Sequence, residues 1–244
     1  MDRLNHQPLP CYTDNVGMMR RIELVFVLFL LPLFLAAQEV LRGEVMVELE
    51  PVLGAFMDEK YPLDKDDAYR RALEEAALFF SAQIYGWSFN YDIGEGARGI
   101  RENFELTPLG TIPWGDTGLR VTHAEFRDMR LYTWMDYRPR ENQLRRIRAW
   151  RTGTIRKVQA VGYGPLGGPV EISGWFAIRK AALEDAARAG VRAMLQGSER
   201  NRPKESRGFI SLETFPRYFM DSGRWACSAR FLVEIKEIVP FPVY

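Results

Sequence analysis

Cysteine and histidine are nearly missing from this sequence, with two of each in 244 residues. Cys11 lies upstream of an apolar run, so it cannot be the lipidated cysteine that follows a lipoprotein signal. If the N-terminal segment is removed on maturation, Cys227 stands alone and no intramolecular disulfide can form. Its alternation with Trp225, Ala229 and Phe231 marks it as a buried structural thiol rather than a nucleophile. His123 would then be the single imidazole, which leaves a His-based metal site without its second ligand. There is no G-x-S-x-G, no H-E-x-x-H and no cysteine pair, so neither catalytic residues nor a cofactor or metal are expected. Net charge is also lacking: 33 basic against 32 acidic residues leave +1. No bulk field favours nucleic acid or an anionic membrane, and any anion-binding surface must be local.

No apolar run is long enough to cross a bilayer comfortably, because Leu24 to Ala37 is 14 residues where a helix needs about 20. Arg20 and Arg21 precede that run, and Ala36, Ala37 and Gln38 close it with a small-residue cleavage site. This is the pattern of a secretion signal over 18–38. Met18 and Met19 stand just before the arginines, so 1–17 read as an untranslated or disordered leader. The expected location is the periplasm or envelope, the signal's membrane contact being transient; the alternative is a chain left anchored by an uncleaved signal.

What is present is the material of a globular domain, 47% hydrophobic and 27% charged. Val45, Val47 and Leu49 alternate with polar or flexible neighbours and predict a strand over 42–52. Asp64, Asp66 and Asp67 then open a helix to Tyr85 with a broad face of Ala68, Ala72, Ala76, Phe79 and Phe80. A second helix is expected over 178–196 on Ala182, Leu183, Ala186, Ala187, Val191 and Leu195. Segments 70–77 and 180–187 align at an offset of 110 residues, consistent with an internal duplication into halves 39–162 and 163–244. Strand-like sequence follows each helix: 87–93, 104–107, 119–137, 147–150 and 154–163, then 208–215 and 224–238. The fold class is therefore α+β, two main helices packed on largely antiparallel sheet.

Gly162-Tyr-Gly-Pro-Leu-Gly167 has the letters of a dinucleotide fingerprint, but Gly168, Pro169 and a strand-like stretch follow instead of a helix, which makes it a turn. Asp58-Glu59, Asp64 to Asp67, Glu74-Glu75 and Asp116 hold enough carboxylate for glycan cleavage, although acids at a helix start already have a use against its dipole. The sharpest charge feature is Arg138, Arg140, Arg145, Arg146, Arg148, Arg151, Arg156 and Lys157 facing the single acid Glu141, with Trp150 among them. Such a patch suits an anionic envelope component or an acidic protein, and Trp114, in an aromatic loop over 109–118, is a second contact candidate. The bland reading puts the arginines on the wet face of a hairpin and folds Trp114 back over the sheet.

The stretch from Glu171-Ile-Ser-Gly-Trp-Phe-Ala through Ala182-Leu-Glu-Asp-Ala-Ala187 to the strand at Trp225 resembles the N-terminal domain of exported flagellar assembly proteins and related small envelope lipoproteins. The resemblance implies a structural or partner-binding role and supplies no active-site residue. The function expected is thus an exported, non-enzymatic envelope protein. An envelope hydrolase acting on peptidoglycan or lipid and a membrane-anchored scaffold are the alternatives.

Overall fold

A computed structural model describes residues 39–50, 61–94, 99, 101–152, 155–165, 175–198 and 203–240. The expected signal, leader and Cys11 lie outside them, as do Asp58, Glu59 and all of 166–174. Among the described residues no helix is long and apolar enough to cross a membrane.

Residues from Glu39 onward form one compact unit. Its elements are β1 (Leu41–Glu48), α1 (Lys65–Ile84), β2 (Trp87–Asp92), β3 (Asn103–Pro108), β4 (Leu119–Arg127), β5 (Arg130–Tyr137), α2 (Glu141–Trp150), β6 (Arg156–Tyr163), α3 (Trp175–Ser198), β7 (Glu205–Leu212), β8 (Arg217–Asp221) and β9 (Arg224–Val239). Three strands make one sheet in the order β1-β5-β4, and six make the other in the order β3-β2-β7-β9-β6 with β8 beside β9. Every pairing is antiparallel. The α+β class is as the sequence indicates.

Asp64 caps α1 by accepting from Asp67 N–H at 2.8 Å, and Asp66 and Asp67 place negative charge in its first turn. The helix buries Ala68, Ala72, Ala76, Phe79, Phe80 and Ile84 and packs on β1, β5 and β7, so it serves both sheets. It stops at Gly86, whose φ of +69° admits glycine at low cost and whose missing Cβ would sit 2.5 Å from Ile210 O. Phe215, in the turn before β8, meets Phe79 and Phe80 at centroid distances of 5.0 and 4.7 Å, which binds the helix to the second sheet.

The long helix α3 lies on β6 and β9. Small residues bring it close: a Cβ on Gly162 of β6 would fall 1.9 Å from Ala186 N. The first glycine of the fingerprint-like run is therefore a helix–strand contact, and no described helix starts at that run. Of the aligned segments, Ala72 and Ala76 of α1 and Ala182 and Ala186 of α3 are all buried. Each helix leads into an antiparallel strand pair, and β2 and β7, the first strand after each helix, pair with one another at the middle of the second sheet.

One expectation is overturned. Residues 147–150, read as strand-like sequence, end helix α2. The helical signal is Leu144, Ile147 and Trp150 at intervals of three, with Gln143 and Ile147 buried. The arginine cluster consequently lies on a helix and its flanks, not on a hairpin.

Candidate interaction surface

The 109–118 loop is held at its base by specific bonds. Leu109 N–H donates to Gly86 O at 3.0 Å, and Ile112 N–H donates to Ser81 Oγ at 2.8 Å, both at the end of α1. Gly110 packs against the Tyr85 ring, 2.7 Å from where its Cβ would be. Asp116 turns inward, accepting from Gly118 N–H at 2.8 Å and pairing with Arg140 at 3.0 Å. Above this base Ile112 is buried, whereas Trp114 is 65% exposed and Leu109 39%. Trp114 is thus not folded back over the sheet. Beside it runs a cleft of about 300 Å³, lined by Leu78, Trp87, Pro108, Ile112, Phe176 and, as its one carboxylate, Glu74.

The start of α2 is fastened to the same place. Buried Gln143 accepts from Arg140 N–H at 2.7 Å and donates to Tyr85 Oη at 2.8 Å and Tyr137 Oη at 2.9 Å. Burial holds the Tyr137 phenol above its ordinary value. Arg138 N–H donates to Gly118 O at 3.0 Å, and the Arg146 guanidinium lies 5.5 Å from the centre of the Tyr85 ring. Arg138, Arg140 and Arg146 therefore border the Trp114 loop.

The other residues of the cluster go elsewhere. Arg145 is exposed on the outward face of α2, and Arg148 lies 3.8 Å from Glu141 on the same face. Arg151 pairs with Glu39 at 2.6 Å and Lys157 with Glu213; both line a separate cavity of about 360 Å³ with Leu41, Ile147 and Leu212. Trp150 is half-buried and donates from Nε1 to Ile84 O at 3.2 Å, so it anchors α2 instead of projecting from it. The continuous patch of the sequence is three surfaces in the fold.

Among the described residues the candidate carboxylates do not assemble. Glu74 is exposed while Glu75, next in the helix, is buried. Asp64 and Asp67 serve the α1 cap, and Asp116 is used by Arg140. His123 is exposed on β4, with its ring 5.0 Å from that of Trp134. No group of three or more His, Cys, Asp or Glu that could hold a metal occurs among the described residues.

What sequence reasoning missed is a buried ionic junction. Arg179 of α3 is 4% exposed, with Nε 3.0 Å from Oε1 of the fully buried Glu75 and Nη1 donating to Met46 O at 2.9 Å. Its guanidinium lies 4.0 Å from the Tyr218 ring centre and 5.3 Å from that of Trp225. Burial pushes the Glu75 carboxyl up to about 7, with Arg179 pulling it down, and pushes the Cys227 thiol up to about 12. Cys227 is an inert core thiol at neutral pH. The signal available was a Glu–Glu pair and a lone arginine on otherwise apolar helix faces.

A protein-family model matches residues 33–241, taking in every element from β1 to β9, and the chain belongs to that family. An uncharacterized protein of Treponema pallidum (strain Nichols) is similar, 26% identical over 171 residues that cover 70% of this chain and 69% of that protein. No solved structure matches.

Proposed function

We propose that this is an exported envelope protein that works by contact with another envelope component rather than by catalysis. The observation that carries the reading is the Trp114 loop. A large aromatic side chain is held out in solvent on a base fixed by Ser81, Gly86 and the Asp116–Arg140 pair, with guanidinium groups on its border. A loop rigid in this way loses little freedom on binding, and exposed tryptophan and arginine are the side chains that dominate contact energies. Export is supported by Arg20, Arg21 and the apolar run Leu24 to Ala37. The resemblance to the N-terminal domain of exported flagellar assembly proteins points the same way.

The test is fractionation of native cells with intact-mass measurement, followed by photo-crosslinking from position 114. A chain beginning near Gln38 in the envelope fraction, crosslinked to one defined component, supports the reading. A cytosolic chain beginning at Met1, or peptidoglycan turnover that vanishes in His123→Ala, overturns it.

A further inference from the structure

We propose that the component met by the Trp114 loop is a phospholipid surface bearing anionic headgroups. Trp114 and Leu109 enter the interfacial layer, and Arg138 and Arg146 face the headgroup phosphates. This rests on the preceding reading of the loop as the contact surface.

Three observations favour a lipid surface. From Thr107 to Gly115 the loop carries no charged residue, so its exposed tip needs no charge to be desolvated. Its one acid, Asp116, is turned inward and satisfied by Gly118 N–H and Arg140, which removes the anion that would repel headgroups. Arg138 and Arg146 form no ion pair among the described residues and remain exposed, so their charge is available at the border of an apolar tip. Tryptophan favours the level of the headgroups, where its ring is apolar and its N–H wet. Each arginine near an anionic leaflet adds attraction, and a projecting loop needs no shape-matched socket from a planar layer. Glu74, which lines the adjoining cleft, is the carboxylate that opposes deeper entry. With a net charge of +1 for the whole chain, this attraction is a property of the loop border and not of the protein as a whole.

The experiment is tryptophan quenching of the full chain by vesicles of phosphatidylglycerol and phosphatidylcholine with brominated acyl chains, against unbrominated vesicles. The apolar run Leu24 to Ala37 contains no tryptophan, so its own insertion gives no quenching. Wild type is expected to lose emission on brominated vesicles, and Trp114→Phe to lose that response. Arg138→Glu with Arg146→Glu should raise the lipid concentration needed for half-quenching by roughly 30-fold or more. Arg145→Glu, on the outward face of α2, should leave it unchanged. Circular dichroism verifies folding, and a double Arg→Gln variant substitutes if the reversal misfolds. Absent quenching, quenching that persists in Trp114→Phe, or equal quenching on pure phosphatidylcholine overturns the inference. Absent quenching with a protein crosslinked from position 114 leaves the contact-surface reading standing and makes the partner a protein. Absent quenching with no crosslink removes both.

Discussion

Arg179 and Arg146 are both arginines set over a tyrosine ring, 4.0 Å from the centre of Tyr218 and 5.5 Å from that of Tyr85. Arg179 is enclosed by α1, β1, β8 and β9, with Glu75 and Met46 O within reach. Arg146 stands in water at the edge of a loop. The same pair of side chains is sealed inside the fold in one place and lies at its surface in the other. What separates them is the removal of water, which makes the buried charge depend on its neighbours and leaves the exposed one nearly costless to change.

Arg179→Met tests the buried side hardest. It should cost about 3–5 kcal/mol in urea denaturation, because Glu75 stays buried without its cation; a loss under about 1 kcal/mol would erase the contrast. Adding Glu75→Leu should recover most of that loss, since an apolar pair no longer needs compensation. Gly162→Ala should cost about 1–3 kcal/mol or more, as the new methyl meets the α3 backbone and not a movable side chain.

The junction also fixes a pH dependence. The Glu75 carboxyl sits at about 7 in the folded protein against an ordinary 4.5, so the folded state holds the proton more tightly. Its contribution is complete below about pH 4.5 and is lost as pH rises to about 7. Burial raises Glu48 too, against Arg130 and Arg179, which adds a change of the same sign. Wild type should therefore lose on the order of 2 kcal/mol more stability between pH 5 and 7.5 than Glu75→Gln does. A steeper loss in the variant would reverse the assignment.

The smallest effect belongs to the surface. Trp114→Ala should shift stability by less than about 0.5 kcal/mol, since its side chain is 65% exposed. A larger loss would make it a structural residue like Trp150.

The two long helices and β9 were legible because each is long and strongly periodic: Trp225, Cys227, Ala229, Phe231 and Val233 are all buried on one face as the alternation requires. Helix α2 was not. Four residues, Ile-Arg-Ala-Trp, are too few to fix a period, and the repeated three-residue spacing appears only when Leu144 is counted. The division of the arginine cluster was equally hidden, because linear adjacency cannot say that Arg151 reaches Glu39 while Arg146 covers Tyr85. Trp114 was singled out by its Gly- and Pro-rich loop, but its exposure follows from Ser81 and Gly86 gripping the loop below it. The Glu75–Arg179 pair joins residues about a hundred positions apart, and a charge on an apolar helix face marks each member without saying that they meet.

The pairing of β2 with β7 carries a consequence for how the chain is made. A sheet whose middle joins strands more than a hundred residues apart cannot close while the chain is still emerging end-first, from a ribosome or through a translocation pore. Until β7 appears, the β2–β3 pair has no inner neighbour, and α1 has only part of the floor it packs on. The first sheet, drawn from residues 41–137, needs none of this, but the second closes only once β9 is out, which puts the burden of keeping its early strands from aggregating on the interval before β9 arrives.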